Sequence, residues 1–191
     1  MKYKSKDYNE KKDSNIKWII TVSLVALLLS LFLSFTATKA ISNLNIILAI
    51  VLLLVVILIG IIFDIVAVGV TIANENNFHA MASKKVKGAK TSIKLIKNSH
   101  KVSNFCADVI GDICGVLSGT VSAIIALKIS SYYNLTFDVQ ALITSFVSAL
   151  TIGGKAIGKT IAKTNSTKIV ALVSKFLNFF SKDKKALKNH N

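Results

Sequence analysis

The sequence predicts an all-α fold: an integral membrane helical bundle with four transmembrane helices and cytoplasmic juxtamembrane amphipathic helices. Three observations lead there. Of 191 residues, 52% are hydrophobic and the mean hydropathy is +0.59, too apolar for an ordinary soluble domain. The apolar residues fall in four long runs, the pattern of spanning helices rather than of short alternating strands. The charge lies between those runs and is lopsided: 24 lysines, no arginine and 9 acids give a formal net charge of +15.

Residues 1–17 form a basic tail carrying Lys2, Lys4, Lys6, Lys11, Lys12 and Lys17. The first run, 18–38, belongs to an additional N-terminal segment, 18–45, that ends in a short outer turn. Its apolar core is long for a cleaved signal, and a second run follows at once. The second and third runs, 46–73 and 103–129, exceed the roughly 20 residues that cross a core of about 30 Å, which implies tilt or extension into the cytoplasmic interface. The fourth, 137–154, is the shortest.

Two stretches outside the runs are amphipathic. In the connector 74–102, Val86, Ala89, Ile93 and Ile96 recur at helical spacing among Lys84, Lys85, Lys87, Lys90, Lys94, Lys97 and Lys101. In the tail 163–191, Ile169, Val170, Val173, Phe176, Leu177 and Phe180 do the same. Both fit helices resting on an anionic lipid surface, and equally helices packed on the membrane domain. The two remaining connectors hold only Lys39 and Lys128. The positive-inside rule then places both termini and the long connector in the cytoplasm of a multi-pass cell-membrane protein, with the lipid bilayer as a partner.

Several functions are not expected. Lysines beside apolar runs, with no arginine fork, argue against a nucleic-acid partner. Cys106 and Cys114 have the spacing of packing residues, and His79, His100 and His190 are scattered in polar segments. No Ser-His-Asp order, glycine-rich phosphate loop or HExxH occurs, so neither enzyme activity nor a cofactor is expected. A small lytic protein fits poorly, because lytic helices are generally amphipathic and surface-bound.

The chemistry concentrates on acids inside apolar runs. A charged Asp at the centre of a membrane helix costs about 2.5 to 3.5 kcal/mol, which makes Asp64 and Asp112 functional-site candidates. Counted from the lysine-rich ends of their runs, each lies roughly 14 Å deep at helical rise, near the midplane. Asp108 is one turn from Asp112 on the same face. Gly111, Gly115 and Gly119 repeat beside it with Ser118 and Ser122, permitting close helix approach. Carboxylates with a hydroxyl and retained waters suit Mg²⁺, so Asp64, Asp112, Asp108 and Ser118 are the expected metal ligands, with Ca²⁺ and Mn²⁺ as alternatives. Protonation, or pairing with lysine or backbone donors in the service of helix packing, is the other outcome.

In its order of motifs the chain resembles the transmembrane module of CNNM and the bacterial CorB/CorC magnesium and cobalt transport proteins. The likeness runs from about residue 46 to 180. It rests on Phe63-Asp64-Ile65-Val66-Ala67, Lys87-Gly88-Ala89-Lys90, Leu95-Ile96-Lys97-Asn98, Ile110-Gly111-Asp112-Ile113, and Gly154-Lys155-Ala156-Ile157-Gly158-Lys159-Thr160-Ile161-Ala162. The resemblance implies a module over 46–162 with a three-span, cytoplasm-facing ion site, commonly a homodimer, and transport of Mg²⁺ or Co²⁺ or its regulation. Ala67 stands where the family carries a glutamate, Asp112 where it carries an asparagine, Lys155 for an acid and Gly158 for a proline. The CBS pair that commonly follows the module does not appear before Asn191, so nucleotide regulation within the chain is not expected and a separate regulatory protein is a possible partner. Divalent-cation binding or transport at the acids is thus the first expectation. The alternative is a non-transporting membrane interaction protein that keeps the fold around an Asp112–Lys155 structural pair.

Overall fold

The computed structural model describes residues 2–42, 44–134 and 139–188. These form helices α1 (Lys2–Ser42), α2 (Ile46–Ile72), α3 (Glu75–Ser83), α4 (Ala89–Lys97), α5 (Ser99–Ser103), α6 (Gly111–Tyr133) and α7 (Val139–Lys188), with a π-helical segment, Asn104–Ile110, leading into α6. No strand occurs among the described residues. Four helical stretches are long and apolar enough to cross a membrane: Ile19–Lys39, Ile46–Ile72, Ser99–Tyr133 and Val139–Phe179. Phe137, where the fourth run is expected to begin, and His190 lie outside the described residues.

Local chemistry sets the boundaries. The backbone turns extended at Ala73 and ends α2. The side chain of Asn74 then accepts the Asn76 N–H at 3.0 Å and caps α3. Asn134, left-handed at φ 50°, closes α6. Gly88 opens α4 at φ +94°, and a Cβ there would lie 3.3 Å from the backbone nitrogen of Lys175, so this corner requires glycine on both counts.

Two differences from the expected boundaries stand out. The fourth run does not stop near Gly154: α7 continues through Lys155, Lys159 and Lys163 and bends only at Asn165 (φ −121°, ψ 24°). Lysine is a good helix former, so the end of an apolar run is not the end of a helix. The third run acquires the π-helical segment at its start, and α6 extends past Ile129 to Tyr133.

The α1–α2 turn, the end of α6 and the start of α7 share one end of the bundle, called here the hairpin end. Lys128 of α6 marks it, donating to the carbonyls of Ile41 and Leu44 at 2.7 Å each. Ile41 lies in the last turn of α1, where its carbonyl also accepts the Leu44 N–H at 3.1 Å, and Leu44 follows that turn, so the ammonium adds a C-terminal cap to both. Next to it lies the first core: Ile41, Ala49, Leu53, Ile57, Val121, Ile125 and Val147. The body of α1 stays outside this core, with Leu24, Phe32 and Phe35 exposed, and the helix packs on α6.

At the opposite, lysine-rich end, α3, α4 and α5 fold against α2 and the second half of α7. Val70, Ala73, Phe78 and Val170 form a second core, flanked by Met81, Ile93, Ile96 and Val102. Polar contacts tie the connector to α7: Ser92 Oγ to Ser174 Oγ at 2.7 Å, Thr91 to Asn178 at 2.9 Å and Asn77 to Thr167 at 3.3 Å. Ser92 and Ser174 are fully buried, and their mutual hydrogen bond offsets the cost of burying two hydroxyls. The inner face of α4 is therefore packed on protein, while Lys84, Lys85, Lys87, Lys90, Lys94 and Lys97 are exposed.

Replacing Lys128 by Met keeps the stem and removes the cap. We expect Lys128→Met to cost about 1.5 to 3 kcal/mol through loss of charge-assisted hydrogen bonds to part-buried carbonyls, read as a lowered unfolding midpoint in detergent.

Candidate functional site

Asp64 is the one charged residue of α2, and it faces inward. Its residue exposure is 6%. Its Oδ2 is buried and has no hydrogen-bond partner. The nearest counter-charge is the ammonium of Lys159 on α7, with Nζ 3.9 Å from Oδ2. The Lys159 side chain is 52% exposed, so its stem runs along the bundle surface and only its head reaches toward the acid.

Close helix approach makes this reach possible. A Cβ at Gly158 would sit 2.8 Å from Cγ1 of Ile65, and one at Gly154 would collide with Ile61. Both glycines of α7 therefore lie on the ridge that α2 presents on either side of Asp64. On the other flank, a Cβ at Gly60 would come 3.1 Å from Cβ of Cys114, so α6 also packs tightly on α2. Lys155, one turn before Lys159, points to the junction of the π-helical segment and α6: its Nζ lies 3.8 Å from the position of a Cβ on Gly111. One buried carboxylate thus faces a region that holds two ammonium groups.

The other expected ligands do not join Asp64. Asp112 is two residues from Cys114, whose side faces α2, and so projects to the opposite side of α6; it is exposed, as is Asp108. No ion pair within 4 Å joins Asp112 to Lys155 among the described residues; the Asp–Lys contact that forms is Asp64–Lys159. Ser118 is buried, with its hydroxyl donating to the Gly115 carbonyl at 2.9 Å. Since α2 and α6 run antiparallel and Gly60 meets Cys114, Asp64 is level with Ile110 and Gly111, whereas Ser118 lies about 12 Å nearer the hairpin end. Among the described residues no three of His, Cys, Asp and Glu assemble into a metal-holding group.

Measured from the hairpin end at 1.5 Å per residue, Asp64 lies about 27 Å along α2, Asp112 about 32 Å along α6, and Lys155 and Lys159 about 24 and 30 Å along α7, so these four residues share a level. Lys159 is the residue that sequence reasoning missed. Its signal was available in the one-turn spacing from Lys155 and in its equal depth with Asp64.

A hard divalent cation is commonly held by one or two carboxylates with most of its waters kept. Asp64 supplies one such carboxylate, and its unpartnered oxygen has the capacity to accept a cation. The fit requires Lys159 to yield that oxygen.

Gly158→Leu would force α7 away from Ile65. We expect it to destabilise the protein by about 1 to 3 kcal/mol, as overpacking does, whereas Gly115→Ala, where a Cβ meets nothing within 4 Å, should leave the midpoint nearly unchanged; thermal unfolding in detergent compares them. Against family models, curated proteins and solved structures the chain shows no match.

Proposed function

We propose that the chain is a divergent CorB/CNNM-like membrane protein that binds or moves a divalent cation, Mg²⁺ first and Co²⁺ second, through the carboxylate of Asp64. Its setting is the cell membrane, crossed four times, with both termini and the connector 74–102 cytoplasmic. One observation carries this reading: a carboxylate oxygen buried among packed helices, with no hydrogen bond. Burying such an oxygen without a donor is costly, and an acid kept in that condition within an apolar helix is by default a functional-site hypothesis. Asp108 and Asp112, exposed on the outer face of the same level, add negative potential near the approach.

A second reading has its own observation. The 3.9 Å approach of Lys159 lets the pair serve packing alone, in a non-transporting membrane interaction protein. The two readings part in a double-mutant cycle. If the pair is only structural, Asp64→Ala and Lys159→Ala each destabilise more than the double variant, since each single change strands a charge.

Transport is tested by Mg²⁺ flux into liposomes holding the purified chain. Asp64→Asn should abolish flux while Asp112→Ala, on the outer face, should reduce it only partly. Flux that is equal in the wild type and Asp64→Asn would remove Asp64 from the ion path.

A further inference from the structure

We propose that Lys159 is a tethered cation that occupies Asp64 between ions, so that an incoming divalent cation binds only by displacing the ammonium to the surface. This rests on Asp64 being the cation ligand and adds what sets its affinity. Three features carry it.

The first is the geometry of the contact. At 3.9 Å the ammonium is close enough to neutralise Asp64 electrostatically and too far to donate a hydrogen bond, and Oδ2 remains without one. A contact made by charge alone is readily exchanged for another cation. The second is mobility. With 52% of its side chain exposed, Lys159 has a solvated position to move to, because its stem already lies at the surface. The third is local charge. On the packed side of this level Asp64 contributes one negative charge against the two positive charges of Lys155 and Lys159, while Asp108 and Asp112 lie exposed on the outer face. A divalent ion added without displacement would meet two like charges. Removing the head of Lys159 leaves Lys155, whose Nζ lies 3.8 Å from the position of a Cβ on Gly111 and, among the described residues, makes no ion pair with Asp64 within 4 Å.

The exchange breaks and forms no covalent bond. The ammonium leaves the carboxylate and the cation arrives with most of its waters. The arrangement makes the site self-limiting: at low cation concentration it is closed by its own lysine, and occupancy begins only when the ion outcompetes a ligand that is always present at high effective concentration.

The test is Mg²⁺ titration calorimetry on the full chain in detergent. Lys159→Gln, which keeps length and polarity but not charge, should tighten Mg²⁺ binding by roughly tenfold, comparable to the effect of one charge within about 4 to 6 Å on a carboxylate's proton affinity. Lys159→Arg should stay close to wild type, and the exposed Lys163→Gln should change nothing. Asp64→Asn should abolish binding with or without Lys159→Gln. If Lys159→Gln binds no tighter than the wild type while Asp64→Asn loses binding, the tethered-cation proposal is overturned and Asp64 remains the ligand. If Asp64→Asn binds as the wild type does, the cation reading of Asp64 is itself overturned. If the wild type does not bind and Lys159→Gln does, through Asp64, the lysine holds the site closed and the proposal stands without transport. Should Lys159→Gln fail to fold, the wild type provides a second readout: Mg²⁺ should raise the reactivity of Lys159 toward an amine-acylating reagent relative to Lys163, and unchanged reactivity would overturn the proposal.

Discussion

A carboxylate on an otherwise apolar helix must find either water or a counter-charge, and α2 offers neither within itself. The arrangement of the other helices follows from how Asp64 is accommodated. Lys159 can approach it because the backbone of α7 lies directly against the side chains of α2, where Gly154 and Gly158 present no side chains to Ile61 and Ile65. A bulky residue at either position would separate the helices and strand the acid. The small residues of α7 therefore serve electrostatics as well as packing. The cost of burying Asp64 is offset partly by the ammonium and partly by the apolar cores on either side of it.

Those cores give the molecule its two ends. Toward the hairpin end the helices pair through aliphatic side chains, and Lys128 supplies the few polar contacts that the α1–α2 turn needs. Toward the lysine-rich end the connector folds back on α7 through paired hydroxyls and amides, with its lysines left outside. A connector so joined cannot move independently of the second half of α7. The bend at Asn165 separates that half from the part that carries Lys155 and Lys159. Displacement at the Asp64 level and movement of the connector therefore meet at one residue, whose non-helical backbone already interrupts the rigid path between them.

The sequence made the helical class and most of the spans legible, because run length and lysine placement depend only on composition along the chain. The end of α2 was readable from Asn74, a residue whose side chain favours caps. Rotation was not readable. Asp112 sits in an apolar run as Asp64 does, and nothing in either run says which one faces a neighbouring helix; that depends on Gly60 meeting Cys114 across the α2–α6 contact. For the same reason Lys155 looked like the partner of Asp112, when the lysine at the right phase is one turn later.

The π-helical segment is both acidic and packed. Its wider turn changes the phase of the residues before Gly111 relative to α6. Continued back as an α-helix, Cys106 would lie within about 20° of Ile113 and about 80° from Cys114 on the helical wheel, already on the packed side. With the wider turn, Cys106 rotates toward the side of Cys114, and both are buried, while Asp108 stays with Asp112 on the outer face. Asp108 and Asp112 thus both lie away from the α2 interface, where a second and third negative charge would compete with Asp64 for Lys159. Held apart in this way, the inner carboxylate has the ammonium of Lys159 on α7 as its nearest counter-charge.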